Sequence, residues 1–204
     1  MKIIRDIEQG SPEWHQLRLG IPTASNFDKI ITSTGELSAT LPKYALELAS
    51  QYLILEPEIG YCNEAMLRGK ELEPLARQAY QEAVFEKVEE VAFIRCDDYG
   101  YSPDGLVGDD GLIEIKCPNQ TTHTKYLLDN KLPIDYKAQV QGGLLASGRE
   151  WCDFVSFHPN FKDDKKLFIV RVFRDDSFIS KLEIALKEVL SKRNEILEKL
   201  NLVK

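Results

Sequence analysis

The sequence predicts an α/β domain, a central mixed sheet flanked by helices, with residues 1–204 forming one unit. Three observations carry this. Apolar residues recur at helical spacing, as at Leu72, Leu75, Ala76 and Ala79, and again at Ile179, Leu182, Leu186, Val189, Leu190, Ile196 and Leu197. Between such segments lie short runs rich in β-branched and aromatic residues at 112–116, 151–158 and 167–173, bounded by turn-forming residues. The chain of 204 residues, 43% hydrophobic and 29% charged, is long enough for one well-packed core and has the composition of an ordinary soluble protein.

Each element has a local reason. Residues 11–20 read as a capped helix: Ser11 as N-cap, Pro12 at the first position, Glu13 at the positive end and Gly20 as the stop. Pro22 to Phe27 begin a second short helix, with Thr23 or Ser25 near its start. Arg18 beside a hydroxyl-bearing helix N-terminus makes an anion site suited to a phosphate; the plain alternative is that the hydroxyls only cap and Arg18 pairs with an acid. Residues 41–55 are helical by apolar spacing, and a turn follows at 56–60. A longer helix runs over 63–84, interrupted by Pro74, with Glu73 beside its apolar stripe and so able to reach a sheet edge. A strand is expected at 88–95, a helix at 121–128, a loop at 131–135, and a helix at 136–147 capped by Asp135. On that helix Lys137 and Gln141 share a face, leaving Gln141 free to bond a phosphate, water or ligand. Asp175 or Asp176 caps a terminal helix that runs to about residue 200.

Composition excludes several classes. No apolar run approaches the ~20 residues that span a bilayer. The first residues lack an apolar signal core, so a cytoplasmic protein is expected. Four cysteines (Cys62, Cys96, Cys117, Cys152), with no C-x-x-C among them, suggest buried thiols rather than zinc or disulfides. A net charge of −7 argues against a generic basic coat for DNA, but 26 Lys and Arg can still gather on one surface.

The chemistry concentrates at Ser102-Pro103-Asp104-Gly105 and Leu112-Ile113-Glu114-Ile115-Lys116. A hairpin through Gly108–Gly111 brings Asp104 across to the second run, where alternation puts Glu114 and Lys116 on one face and Ile115 on the other. This is the PD…(D/E)xK pattern of metal-dependent nucleases. Phosphodiester cleavage calls for a hard cation on oxygen ligands, here Asp104, Glu114 and the Ile115 carbonyl, and for a cation such as Lys116 to orient the attacking water. Asp-Gly is also a common turn and E-x-K a common surface pair, so the flanking residues decide.

Those flanks are Glu13-Trp14-His15-Gln16-Leu17-Arg18-Leu19-Gly20, Thr23-Ala24-Ser25, Arg68-Gly69-Lys70 with Glu73, Glu114-Ile115-Lys116-Cys117-Pro118 and Ala138-Gln139-Val140-Gln141. As a set they resemble the lambda-exonuclease-like, YqaJ-type viral recombinase family over nearly the whole chain. The resemblance implies a restriction-endonuclease-like core. It implies a 5′-to-3′ exonuclease that digests the 5′-ended strand of linear double-stranded DNA, leaving 3′ overhangs for single-strand annealing. It further implies two Mg²⁺ ions, with Mn²⁺ as a substitute, a ring-shaped homotrimer, a single-strand annealing protein as partner, and residence in the cytoplasm of a bacterial host. By position, Asp104, Glu114 and the Ile115 carbonyl are implied metal ligands, Glu73 an additional acid near the second ion, and Lys116 the residue that positions water. Arg18, Ser25 and Ser102 are implied to hold the 5′ phosphate, Gln141 to line the site, and Met66 to split the terminal pair. Rival expectations are a sequence-specific or repair endonuclease of the same fold, or a non-catalytic DNA-end-binding module.

Overall fold

The computed structural model describes residues 1–54 and 64–202. Among them, eight strands form two sheets. The smaller is antiparallel, in the order β1 (Lys2–Ile4), β3 (Phe93–Arg95), β4 (Gly100–Tyr101). The larger follows the order β2 (Val88–Glu89), β5 (Gly105–Val107), β6 (Gly111–Lys116), β7 (Trp151–Phe157), β8 (Leu167–Phe173). It is mixed: β6 and β7 run parallel and the other pairs antiparallel. A parallel pair needs a long crossover, supplied here by α4 (Gln120–Asp129) and α5 (Lys137–Ser147).

The two faces of the larger sheet are covered by different helices. Ile113, Ile115, Val155 and Phe157 pack with Ala76 and Tyr80 of α3 (Glu64–Val84). Leu112 and Cys152 look the other way, into a core shared with Val140 and Leu144 of α5. Leu41 and Leu48 of α2 (Leu41–Ser50) join it, with Leu182 and Val189 of α6 (Asp176–Lys199). Burying each such side chain stabilises the fold by roughly 1.5–3 kcal/mol before entropy is counted.

Caps read from the sequence are in place. Ser11 accepts from Trp14 N–H at the start of α1 (Pro12–Arg18), and Asp175 from Phe178 N–H at the start of α6. Other expectations need correction. The strand at 88–95 is two strands in two sheets, because the run 91–94 is buried throughout and carries no alternation as it passes between them. The short helix after Pro22 is a six-residue 3-10 helix, Ala24–Lys29. Asp135 does not cap α5, which starts from a 3-10 turn with Tyr136 as its N-cap. The turn expected at 56–60 lies outside the described residues. None of the described helices is long and apolar enough to cross a membrane.

Candidate active site

Glu114 is 2% exposed, and three neighbours fix its carboxylate. Tyr101 donates its hydroxyl to Oε2 at 2.9 Å, while Lys116 Nζ and Gln139 Nε2 both reach Oε1 at 2.6 Å. Tyr101 gets this close because α5 carries Gly143 where a Cβ would meet the Tyr101 ring at 2.8 Å. Pairing of β5 with β6 ends at Gly105–Ile113, so the last three residues of β6 have no β5 partner beyond that point. Asp104 fills the gap, its Oδ2 accepting from Ile115 N–H at 2.6 Å. In a strand the N–H and C=O of one residue point the same way. The Ile115 carbonyl therefore faces the same notch as Asp104.

Electrostatics mark the notch as one that wants a cation. Burial, then the neighbouring Glu114, push the Asp104 carboxyl well above the ordinary range, with Lys116 opposing and Glu73 reinforcing. Burial works against the Lys116 ammonium, but Glu114 and Asp104 together outweigh it and raise its pKa. Glu73 lies across the cleft on α3, its pKa raised by burial although Arg77 holds it. The same Arg77 donates to the Asp104 carbonyl at 3.2 Å and pairs with Glu90.

Among the described residues no three His, Cys, Asp or Glu side chains make a metal cage by themselves. The donors are instead the buried Glu114 carboxylate, the half-buried Asp104 carboxylate and a carbonyl, all hard oxygens, beside a third acid. That set suits a magnesium-like ion, which keeps several waters and takes few protein ligands.

A second group of side chains adjoins this notch. Arg18 stacks 4.0 Å from the centre of the Trp14 ring and donates to Ser102 Oγ at 2.9 Å. Its other nitrogen faces Thr23 and Ser25, both at 3.5 Å. Trp14 Nε1 also donates to Ser102 Oγ. Having accepted twice, the Ser102 hydroxyl keeps its own proton to give. Among the described residues Arg18 has no acid partner, and burial lowers its pKa to about 10. Ser102 stands two residues before Asp104, so one short segment joins this cation to the metal-type notch. Two clefts meet at His15: one of about 420 Å³ bordered by Lys70, Glu73 and Asp104, the other of about 500 Å³ bordered by Arg18, Thr23 and Tyr44.

The sequence expectations sort accordingly. Asp104, Glu114, Ile115 and Lys116 converge, Glu73 flanks them, and Arg18, Ser25 and Ser102 cluster alongside. Met66 is exposed on the first turns of α3, seven residues before Glu73 and so on a similar face. Gln141 is a correction. It is 2% exposed, donating to the Phe173 carbonyl and accepting from Asp175 N–H, and the glutamine at the site is Gln139. Gln141 sits three residues from both Ala138 and Leu144, on the buried stripe of α5; that spacing was the available signal. Tyr101, Trp14 and Arg77 also serve the site without having been assigned to it from the sequence.

The family model of the YqaJ-like viral recombinase domain matches residues 13–150. No curated protein sequence matches the chain. Among solved structures, the chain is similar to an alkaline exonuclease (LHK-Exo) from Laribacter hongkongensis. Identity is 40%, coverage is 94% of this chain and 96% of that one, and the TM-score is 0.86. LHK-Exo in complex with dAMP matches at 40% identity over 93% and 96% of the two chains, with a TM-score of 0.85. A phage related exonuclease from Haemophilus somnus 129PT shares the fold at 15% identity, with a TM-score of 0.76 over 91% of this chain and 99% of that one. The matched region holds every residue of the notch and of the Arg18 cluster, and the chain belongs to the YqaJ-like viral recombinase domain family.

Proposed function

We propose that the chain, acting as one nuclease domain over residues 1–204, is a divalent-metal-dependent exonuclease. It digests the 5′-ended strand of linear double-stranded DNA from 5′ to 3′ and leaves a 3′ overhang for single-strand annealing. The observation that carries this is the juxtaposition of an acid–acid–lysine notch with an arginine that has no acid partner among the described residues, joined through Ser102-Pro103-Asp104. The similarity to alkaline exonucleases supports the reaction class.

Asp104, Glu114 and the Ile115 carbonyl would hold one ion, and Glu73, now paired with Arg77, would be the acid available to a second. Bound Mg²⁺, or Mn²⁺ in its place, supplies charge neutralisation and a deprotonated water at neutral pH. The protein's own groups do the rest. Lys116 keeps its proton, orients the attacking water and stabilises charge that develops on the phosphodiester. Gln139 and Tyr101 stop the Glu114 carboxylate from rotating. Arg18, the Ser102 proton and Ser25 clamp a terminal 5′ phosphate, so that the phosphodiester one nucleotide inward reaches the notch. Met66 separates the terminal pair ahead of it. The assembly that suits this task is a ring-shaped homotrimer threaded on the duplex, working in the cytoplasm of a bacterial host with a single-strand annealing protein. A light-scattering mass of three chains tests the ring.

The test of the reaction uses Mg²⁺ and linear duplexes with a 5′ phosphate or a 5′ hydroxyl, plus a closed circle. Release of mononucleotides from 5′-phosphorylated ends with the circle intact is expected. Cutting of the circle would favour the endonuclease, and DNA binding without any release would favour the end-binding module. Arg18→Ala is expected to remove most of the preference for a 5′ phosphate, and an unchanged preference would sink the clamp.

A further inference from the structure

The stripe that α6 buries contains a charge. Arg193 falls four residues after Val189 and four before Leu197, and is 7% exposed. Among the described residues it pairs with no acid. Its Nε and Nη2 meet the neutral Asn194 Oδ1 at 3.1 and 2.9 Å. Its Nη1 donates 2.7 Å to the carbonyl of Gly20, 173 residues away in the chain. A buried guanidinium without a carboxylate is costly to keep, so what it holds is worth asking.

Gly20 follows the last turn of α1, the turn that ends in Arg18. It has φ +72°, and a Cβ there would meet the Tyr52 ring at 2.4 Å, so only glycine fits. Its N–H donates to Gln51 Oε1 at 2.7 Å. Both polar atoms of one peptide-bearing residue are thus gripped by distant side chains. Ile21 N–H turns back to the Arg18 carbonyl, and Arg95 caps the Leu17 carbonyl at 2.7 Å. Cationic side chains on the carbonyl end of a helix oppose its unwinding. From that turn Arg18 bonds both Ser102 and Thr23, which lie on separate segments, so its reach depends on where the turn is held.

We propose that Arg193 is a positioning residue for the Arg18 cluster: the carboxyl-terminal helix sets the geometry, and hence the phosphate selectivity, of the end-binding site. This rests on the reading of Arg18 as a phosphate clamp. Arg193 touches no substrate and acts through Gly20 and the end of α1.

The experiment compares kcat/KM on duplexes with 5′-phosphoryl and 5′-hydroxyl ends for the parent, Arg18→Ala, Arg193→Met and Arg193→Lys. Methionine fills the buried volume but leaves the Gly20 carbonyl without its donor. The ratio for phosphoryl over hydroxyl ends is expected to fall about fivefold in Arg193→Met, the worth of a typical single hydrogen bond. The rate on hydroxyl ends should stay near the parent's. Arg193→Lys, which keeps a charged donor, should restore part of the ratio. If Arg193→Met proves too unstable to assay, Gln51→Leu releases the other side of Gly20 and should lower the same ratio. A parental ratio in these variants, or an equal loss on both substrates, overturns the proposal while leaving the clamp standing. If Arg18→Ala itself keeps the parental ratio, the clamp is wrong, and the two failures are told apart.

Discussion

Replacing Asp104 by Asn should make the metal-free protein more stable while removing its activity. Asp104 Oδ2 accepts from Ile115 N–H, a bond that the Asn carbonyl oxygen can keep. What the substitution removes is a charge set beside Glu114 in a buried place. Two carboxylates about 4–8 Å apart repel by roughly 2–4 kcal/mol at an effective dielectric of about 20. Lost attraction to Lys116 and a weaker bond to Ile115 offset much of this, leaving a net gain of roughly 1 kcal/mol, or about 2–4 °C in a chain of this size. The pH dependence has a definite sign. The Asp104 pKa is higher folded than unfolded, so the fold carries no penalty at pH below the ordinary carboxyl range. The penalty grows as pH rises from that range to the raised folded pKa. Thermal melts in a chelator, from acid to alkaline pH, should therefore show the variant's advantage widening with pH over that window. Adding Mg²⁺ should raise the parent's Tm and leave the variant's nearly unchanged. Digestion should fall by about two orders of magnitude or more, as for loss of a principal transition-state electrostatic group. A variant less stable than the parent in chelator, or one that digests linear duplex at the parent's rate, would refute the reasoning.

The two glutamines of α5 should behave oppositely. Gln139→Leu should slow digestion about tenfold, one lost charge-assisted contact, with little change in Tm. Gln141→Leu strands the Phe173 carbonyl and the Asp175 N–H, and should cost roughly 2–4 kcal/mol of stability in denaturant melts, with activity per folded molecule retained. His158 supplies an acid-sensitive element away from the notch. Its buried Nδ1 has no partner among the described residues, and burial, then Arg68 and His123, hold its pKa below the ordinary 6.5. Its contribution is whole above that value and shrinks as pH falls from 6.5 toward the depressed folded pKa. His158→Phe, packing on Phe161, should flatten the Tm–pH curve there, and an unchanged slope would show that the titration lies elsewhere. Lys116→Met should abolish digestion while DNA binding, read by anisotropy, stays within about twofold, since a single ammonium adds little to a contact spread over many phosphates.

Strand β6 was legible because its message is local. Alternation alone puts Leu112, Glu114 and Lys116 on one face and Ile113 and Ile115 on the other, and the structure divides them so. Helix caps at Ser11 and Asp175 are likewise decided by residues three apart. The division of 88–95 between two sheets was not legible. Its buried central run reads the same in one strand or across a junction, and it is held by Gln9, whose amide donates to the Val91 carbonyl 82 residues away.

Within the candidate site, residue types and spacing along the chain were enough to name the groups, two acids, a lysine and an arginine, whereas the lack of an acid partner for Arg18 among the described residues came from the folded arrangement. Only the tertiary structure decided which glutamine serves Glu114. Gln139 and Gln141 differ by about half a turn, and the choice depends on how α5 is rotated over the sheet. It also decided the contacts of Tyr101 and Arg193. One acts across a space opened by Gly143, the other across 173 residues of chain. Periodicity and capping are short-range physics written along the chain, whereas the rotation of a packed helix and the grip of one remote side chain arise only once the core has closed.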